Sequence, residues 1–374
     1  MSGPTVFLSA GEASGDLHGA AVARALRLQF PAVRLLGLGG SRMAGEGVEL
    51  FADLSELAIM GFTEVVRHLP RILRLERRVH AGLARERVDL VIPIDYPGFN
   101  LRLARHARRS GIPVLWYIAP QVWAWRPNRM RALARDADVV AVVLPFEEEL
   151  LRSAGVRAQF VGHPLLDAQR PHEPHARWAE RWQLEPGRPI LALFPGSRAQ
   201  EVRRHLTLFE SAAARVVAQL PHVQPVIGTA GDLSEDAYAP STLPRIPGAA
   251  GLLEHASVVL AKSGTTTLEA ALAGTPLVVA YRTSALTYAL ARRLVKVPHV
   301  ALANLVAGAR VAPELLQDQA TPQALAAALV PLFNAASPER AAMDAGLSRV
   351  RSALGSPGAA ERVARIASQL LADR

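Results

Sequence analysis

Three side chains that can transfer protons lie close together near the start of the chain. Glu12, Asp16 and His18 belong to the stretch SAGEASGDLHGA, residues 9–20, which follows an apolar run typical of a buried strand. Carboxylates and imidazole are the commonest general acids and bases of enzymes. These residue types therefore indicate a catalytic site or a polar binding site at the end of the first strand.

The same stretch has the backbone features of a ligand-binding turn. Gly11 and Gly15 permit close backbone approach, and the helical pattern from Leu17 would point helix N–H groups at a ligand. An ordinary helix start, capped by Ser14 or Asp16, explains the residue types equally well. The G-x-G-x-x-G spacing of a dinucleotide-binding loop is absent. The stretch thus predicts a substrate-binding turn or a capped helix, and residue types alone leave both open.

Two further polar stretches follow predicted strands in the first half. In VIPIDYPGFNLRLA, residues 91–104, Asp95 ends a strand and Asn100 begins a helix, so Asp95 is a candidate general base or the cap of its own turn. In YIAPQVWAWRPNR, residues 117–129, aromatic and basic side chains could stack on and clamp a ligand, although such aromatic residues equally pack into cores. The residues concerned are Trp123, Trp125, Arg126 and Arg129, with one of the two tryptophans expected in the core.

The second half contains two turns of the kind that bind phosphate. FPGSRAQEV, residues 194–202, and AKSGTTTLEAALAGTPLVV, residues 261–279, each run from a strand through small residues into a helix. Helix N-termini attract anions, an arginine can donate two bonds to a diphosphate, and a glutamate can hold ribose hydroxyls. A tight turn and a capping box are the structural alternatives. The predicted binding residues are Gly196, Ser197, Arg198, Ser263, Gly264, Thr265, Thr266 and Glu269.

Apolar runs alternate with helical segments along the chain, which predicts an α/β protein with parallel sheets covered on both faces. A polar stretch from Leu166 to about Glu185 separates two such series, and an alanine-rich helical tail begins at Pro322. The predicted domains are 1–170, 171–345 and 346–374. Ligands bind beyond the carboxyl ends of such strands, where the motifs above occur. The predicted strands are Thr5–Ser9, Arg34–Leu38, Leu90–Asp95, Val114–Ile118, Val139–Leu144, Gln159–Val161, Ile190–Phe194, Gln224–Gly228, Val258–Ala261 and Leu277–Tyr281.

Composition excludes several classes of protein. The chain of 374 residues has no cysteine, which excludes disulfide frameworks, cysteine zinc sites and thiol catalysis. Its net charge is +9, carried almost entirely by arginine because Lys262 and Lys296 are the only lysines. This excess predicts an anionic partner such as phosphate, nucleic acid or a membrane surface, or else reflects genome composition. No leader or membrane-spanning segment is recognised, which predicts a cytoplasmic protein.

Residues 60–78, MGFTEVVRHLPRILRLERR, combine an apolar side with a basic flank. That pattern is typical of elements on a membrane surface and also of ordinary amphipathic helices. Pro70 is expected to start a second helix rather than lie inside one. The candidate membrane-contacting residues are Phe62, Val66, Leu69 and Leu73.

Taken together, these stretches resemble the lipid-A-disaccharide synthases. The matching pieces, from residue 10 to Gln317, are GEASGDLHGA, GLGGSRM, MGFTEVV, IDYPGFN, PQVWAWR, FVGHPLLD, FPGSR, SGTTTLEAAL, TPLVVAYR and NLV with APELLQ. Their order and spacing across most of the chain make the resemblance specific.

The resemblance implies a fold of the GT-B type: two Rossmann-like domains facing across a cleft, with C-terminal helices crossing back to the first. It implies an inverting transfer, without metal or other cofactor, that joins UDP-2,3-diacylglucosamine to 2,3-diacylglucosamine 1-phosphate. The products would be a β-1,6-linked disaccharide and UDP, made by a peripheral protein at the inner face of the inner membrane. The family allows a homodimer and gives no reason to expect a nucleic-acid partner.

The resemblance also indicates which of the two substrates each group of candidate residues would bind. The C-terminal domain would bind UDP, with Asn304 beside the two phosphate-type turns. Arg42 would join the arginines that meet the acceptor phosphate. The acceptor-binding residues implied are Gly11, Ser14, Gly15, Asp16, Asn100, Trp123, Arg126 and Arg129.

One position departs from the family pattern. A common form of its motif is D-x-P-D-F-N, whose second aspartate is a favoured catalytic base, and this chain has Gly98 there. Asp95 is therefore the first candidate base. His18 is the next, because imidazole titrates near neutral pH, and Glu12 is a further catalytic candidate.

Two other functions fit parts of the sequence. Another UDP-sugar enzyme of this architecture, an N-acetylglucosaminyl transferase of cell-wall synthesis or an epimerase, would use the phosphate-type turns. A soluble epimerase would have no use for the 60–78 stretch. A non-catalytic basic protein that binds nucleic acid or anionic membrane would explain the charge but not those turns.

Overall fold

The computed structural model describes residues 3–54, 65–120, 127–167, 173–231, 233–284, 288 and 298–373. The chain divides into two compact units. The first unit comprises Met1–Asp167 with Gly355–Arg374, and the second comprises Ala168–Leu354. The last predicted domain boundary, at residue 346, falls inside a helix spanning Pro338–Ala353.

The first unit is built on parallel strands that follow one another in a doubly wound order. Its strands are β1 Thr5–Ser9, β2 Arg34–Gly39, β3 Glu49–Asp53, β4 Leu90–Pro93, β5 Leu115–Tyr117, β6 Val139–Val142 and β7 Ala158–Phe160. They pair in the orders β3-β2-β1-β4 and β5-β6-β7, and bridges from Val91 to Val114 and from Ile94 to Tyr117 set β5 beside β4. The order reverses between β1 and β4, the point at which such sheets bind ligands.

The second unit repeats this arrangement. Its strands are β8 Ile190–Phe194, β9 Gln224–Thr229, β10 Arg245–Pro247, β11 Val258–Lys262, β12 Leu277–Tyr281 and β13 Glu314–Leu316. They form one parallel sheet in the order β10-β9-β8-β11-β12-β13. The reversal here lies between β8 and β11, so the two phosphate-type turns leave neighbouring strands at the same edge. The predicted α/β class with parallel sheets is confirmed.

Helices cover the sheets of both units. In the described residues they are α1 Ala13–Gln29, α2 Ser41–Gly45, α3 Val65–Arg85, α4 Pro97–Arg109, α5 Pro127–Asp136, α6 Pro145–Ser153, α7 His175–Arg181, α8 Ala199–Gln219, α9 Ala250–His255, α10 Thr266–Ala273, α11 Leu302–Ala307, α12 Pro322–Leu329, α13 Pro338–Ala353 and α14 Ala359–Ala372. Single 3₁₀ turns occur at Pro164–Leu166, Glu235–Tyr238, Gln317–Gln319 and Val330–Phe333. None of the described helices is long and apolar enough to cross a bilayer.

Pro70 lies inside α3, so the prediction that it starts a new helix was wrong. A proline in a helix removes one backbone donor, and here the loss falls in the second turn of a helix of 21 residues. The remaining turns compensate by burying one apolar stripe against the core of the first unit. The buried residues of that stripe are Ile72, Leu75, Val79 and Leu83.

The C-terminal helix belongs to the first unit. α14 packs on α1, and the carboxylate of Asp167 accepts bonds from the backbone N–H groups of Gly358 and Ala359 at 2.5 and 3.1 Å. Arg362 donates from Nε to the Val161 carbonyl at 2.7 Å. Asp167, the last residue of the first segment of this unit, therefore caps the N-terminus of α14.

Candidate active-site residues

A single amide fixes the two turns that leave β1 and β4. Asn100 is fully buried, accepts from the Ser9 hydroxyl at 2.6 Å, and donates to the carbonyls of Ser9, Ile94 and Asp95 at 3.2, 3.3 and 2.8 Å. Its oxygen and nitrogen are thus both engaged by the main chain or by Ser9. Asn100 therefore positions the turns, and direct binding of substrate by this amide stays a prediction.

The turn after β4 is strained. Asp95 and Tyr96 both have left-handed backbone angles, φ 43° and 47°, which non-glycine residues seldom adopt in succession. The Asp95 N–H donates to the Tyr117 carbonyl at 3.0 Å, and the Tyr96 ring lies so close over Gly11 that an added Cβ would be 2.2 Å from it. Strain of this kind persists where the surroundings hold it, commonly at functional sites. The turn presents Asp95 at the ligand-binding edge of the sheet.

The environment of Asp95 suits a general base. Asp95 as a whole residue is exposed, yet its carboxyl group is desolvated by the surrounding protein. This desolvation raises the pKa of Asp95 to about 6, and the negative charge of Glu12 is the second cause of the shift. The Tyr96 N–H, which donates to the carboxylate, opposes this shift. A base whose pKa is close to neutral can be ionised in the cell and still accept a proton readily.

His18 is the weaker candidate base. Burial lowers the pKa of His18 to about 4, although the charge of Asp167 works against this. Its ring lies edge-on to that of Tyr117, with centroids 6.4 Å apart, and burial together with His18 also lowers the pKa of His163 to about 4. Both imidazoles are therefore uncharged at neutral pH. A group with a pKa of about 4 takes up a proton less readily than Asp95 does.

Asp16 has a structural task. Its buried carboxylate accepts from the backbone N–H groups of Gly40, Arg42 and Met43 at 2.7, 3.1 and 3.1 Å, and so caps α2. The prediction that Asp16 caps α1 was wrong, whereas its assignment as a substrate ligand stays a prediction. The N-cap of α1 is Glu12, without a side-chain capping bond.

The other residues of this turn differ in exposure. Glu12 and Ser14 are exposed, whereas Gly15 is buried, and a Cβ on Gly15 would lie 3.2 Å from that of Ala10. The side chain of Arg42 is exposed beside them on α2. Several candidates lie outside the described residues or have side chains outside them, and these are Phe62, Val66, Leu69, Trp123, Trp125, Arg126 and Arg129.

The second unit holds a cavity of about 320 Å³ at the reversal of its strand order. The turns after β8 and β11 meet there, as the sequence predicts. Predicted residues that line the cavity are Gly196, Ser197, Ser263, Gly264, Thr265, Thr266 and Glu269. Residues that were not predicted from the sequence line it too, at the end of β9 and in the turns after β9 and β10, and these are Gly228, Thr229, Ala230, Gly231, Gly248 and Ala249. The missed turns are rich in glycine but lack a charged or hydroxyl cluster.

Gly196 is required by the geometry of this cavity. Its φ is 140°, in a region that L side chains rarely adopt, and a Cβ would lie 2.5 Å from the Cβ of Glu201. Arg198 is exposed at the N-cap of α8, beside the cavity lining rather than in it. The Ser263 hydroxyl donates to the Val300 carbonyl at 2.7 Å, so this side chain also fixes the residues directly before α11.

Asn304 supports the second unit from within. It is fully buried, its amide nitrogen donates to the Ala312 carbonyl and to Glu314 at 2.9 and 2.8 Å, and its oxygen accepts from the N–H groups of Val311 and Ala312 at 2.8 Å each. With all four bonds made inside the unit, Asn304 holds the approach to β13 and is not among the residues of the cavity. Its assignment as a UDP ligand stays a prediction.

An ion pair that the sequence analysis missed closes one side of the cavity. Lys262, at the end of β11, donates from Nζ to Glu201 at 2.9 Å, and the Ser197 N–H donates to the other oxygen of Glu201 at 3.1 Å. The backbone carbonyl of Glu201 lies 2.8 Å from Nδ1 of His205, whose Nε2 accepts from the Arg282 N–H at 2.9 Å. One carboxylate therefore links both phosphate-type turns.

Comparison with known proteins identifies one family over nearly the whole chain. The family described as lipid-A-disaccharide synthetase matches residues 6–354. The lipid-A-disaccharide synthase of Acidobacterium capsulatum is 42% identical over 393 residues, covering 100% of this chain and 98% of the relative. That of Syntrophus aciditrophicus is 42% identical over 379 residues, with 99% of each chain covered.

Solved structures share the fold at low identity. The glycotransferase of kitacinnamycin superposes with a TM-score of 0.68 at 18% identity, covering 99% of this chain and 100% of its own. A structure of S. aureus MnaA with UDP also gives 0.68, at 13% identity and with 99% and 97% covered. The predicted GT-B type of fold is confirmed. The matches over the whole length show that this chain belongs to the lipid-A-disaccharide synthase family of glycosyltransferases.

Proposed function

We propose that the chain transfers 2,3-diacylglucosamine from UDP to the 6-hydroxyl of 2,3-diacylglucosamine 1-phosphate. The acceptor oxygen forms a bond to C1 of the donor sugar while the bond from C1 to the diphosphate breaks. The hydroxyl proton passes to a base, and the bonding electrons leave with UDP. The products are a β-1,6-linked disaccharide and UDP, and the step needs no other reactant.

The observation that carries the proposal is the cavity of the second unit in a chain of this family. It lies where two helices begin, α8 and α10, so backbone N–H dipoles favour an anion there. Glu269, one turn into α10, lines the same cavity and is the proposed partner of the ribose hydroxyls. Fixed donors that face a departing diphosphate lower the barrier, because the charge on it grows as the bond breaks.

The first unit supplies the proposed base. Asp95 has the higher proton affinity of the two candidates, and its turn is held rigid by Asn100. Glu12 raises that affinity through its charge. The Tyr96 ring of this turn packs directly on Gly11, where there is no room for a side chain.

The test is release of UDP by the purified chain in detergent. We expect release from UDP-2,3-diacylglucosamine that depends on 2,3-diacylglucosamine 1-phosphate and yields a disaccharide. UDP-N-acetylglucosamine, which lacks the acyl chains, is the matched control donor and should be a poor substrate. Turnover of that control donor without an acylated acceptor would instead identify an N-acetylglucosaminyl transferase or an epimerase.

An arginine-rich face of the first unit supports docking on an anionic membrane. α3, α4 and α5 pack side by side, and their sequences contain Glu76 and Asp136 as the only acidic residues. Leu73, 41% exposed, lies among the basic residues of α3. The exposed arginines of this face are Arg71, Arg74, Arg77, Arg78, Arg102, Arg105, Arg108, Arg109, Arg131 and Arg135. Some pair with acids, as Arg102 does with Glu76 at 3.0 Å, but the positive charges are in excess.

Replacing Arg71, Arg74 and Arg77 together by glutamine is expected to weaken binding to anionic vesicles. Each arginine near such a surface contributes about 1 kcal/mol, so the loss amounts to roughly a hundredfold in affinity at low salt. Cosedimentation with vesicles of anionic or zwitterionic lipid measures it. A variant with the same charge change on the second unit, at Arg215, Arg349 and Arg351, is the control and should bind as the parent does. Equal binding by both variants would exclude this face.

A further inference from the structure

Lys262 places a positive charge in the cavity of the second unit. It is one of only two lysines, lines the cavity of the second unit, and has a side chain that is 18% exposed. Its ammonium is paired with Glu201 at 2.9 Å and lies 5.5 Å from the centre of the Tyr281 ring, within cation–π range. Two neighbours therefore hold this cation at the edge of the cavity.

Glu201 places a carboxylate beside a cavity that is suited to anions, and a negative charge there would disfavour binding of an anion. Burial alone would raise the pKa of Glu201, but the hydrogen bond and charge of Lys262, the Ser197 N–H and Arg198 lower it below its usual value. Glu201 is thus ionised at neutral pH. Without Lys262, a diphosphate in this cavity would meet an uncompensated negative charge.

We propose that Lys262 binds the diphosphate of the nucleotide sugar, and that Glu201 holds Lys262 in place before the donor arrives. This inference rests on the proposed function and deepens it, since the sequence motifs assigned that anion to Arg198 and to backbone N–H groups alone. Lys262 has three N–H donors, so its ammonium can keep the bond to Glu201 and donate to a phosphate oxygen as well.

The arrangement suits the bond-breaking step. A cation already fixed by Glu201 and Tyr281 needs no rearrangement when charge develops on the leaving group. Glu201 in turn is anchored by the Ser197 N–H, on the other phosphate-type turn. The pair therefore couples the position of the cation to the positions of both turns.

Binding of UDP and of uridine separates a ligand role from a purely structural one. Replacing Lys262 by glutamine removes the cation, and we expect UDP to bind at least roughly tenfold more weakly, because a bond to a charged group is lost. Uridine, which has no phosphate, should bind this variant as it binds the parent. Arg349→Gln, the same change of net charge on the exposed side of α13, is the matched control and should leave both affinities unchanged.

The double variant Lys262→Gln with Glu201→Gln decides between the two roles. If Lys262 binds the diphosphate, UDP binding stays weak after the carboxylate is neutralised. If Lys262 merely compensates Glu201, the double variant regains the affinity of the parent, and the inference is overturned. Equal UDP binding with and without Lys262 overturns it too and leaves the proposed function standing, whereas no UDP binding by the parent chain overturns both.

Discussion

Replacing Asp95 by asparagine is expected to lower the rate of disaccharide formation by roughly 100-fold to 10,000-fold, the usual contribution of a general base. Asparagine is nearly isosteric and tolerates the left-handed backbone conformation of this residue, so the turn should keep its shape. The affinity for UDP, measured by calorimetry, should not change, because the proposed donor site lies in the other unit. Full activity in this variant would remove Asp95 from the mechanism.

The pH dependence of kcat/KM tests the same assignment. A general base must be ionised, and the pKa of Asp95 is raised to about 6. The rate should therefore be low below pH 6, rise through that value and level off above it. Glu12→Gln removes a charge that raises this pKa, so the midpoint should move to lower pH. A midpoint near 4 in the parent chain would point to His18 instead.

Gly98 allows a complementary experiment. A Cβ added at Gly98 would meet nothing within 4 Å, and the residue lies in the first turn of α4, where an acidic side chain is favourable. Gly98→Asp should therefore fold normally. If the aspartate restores activity to Asp95→Asn, the family's usual base position is usable in this chain. If it does not, the strained turn at Asp95 is the only position of the two from which the proton is taken.

The sequence predicted the central strands well but missed three of the outer strands. β3, β10 and β13 were missed, and each is an edge strand of its sheet that is only partly buried, so its composition lacks the continuous apolar run of a central strand. The positions of the candidate sites followed from the strand ends, because parallel sheets bind ligands there.

The roles of single side chains were harder to predict. Asp16 and Asn100 occur in motif-like stretches, yet both bind main-chain groups that are 24 to 27 and 5 to 91 residues away, respectively. Glu201 and Lys262 are separated by 61 residues, so no local pattern joins them. Residue types indicate which chemistry is available, whereas the direction of a side chain depends on tertiary contacts.

Asn100→Ala is expected to cause the largest loss of stability among these variants. It removes four hydrogen bonds in a fully buried place and leaves the Ser9 hydroxyl and three carbonyls without this partner. At about 1 kcal/mol for each bond, with relaxation recovering part, the loss is about 3 kcal/mol. In a unit of this size that lowers the melting temperature by roughly 6 to 12 °C. Differential scanning calorimetry measures it, and Arg109→Ala, on the exposed end of α4, should change little.

The same variant separates positioning from substrate binding. If Asn100 acts by holding the turn, kcat should fall and the pH midpoint assigned to Asp95 should move, because the strained conformation relaxes, while KM for the acceptor changes little. Ser9→Ala should be less harmful in the Asn100→Ala background than alone, since the two side chains share one bond. A stable Asn100→Ala chain with a raised KM and an unchanged pH profile would instead support direct binding of substrate by Asn100. The strain at Asp95 and Tyr96 would then have to be held by contacts other than this amide.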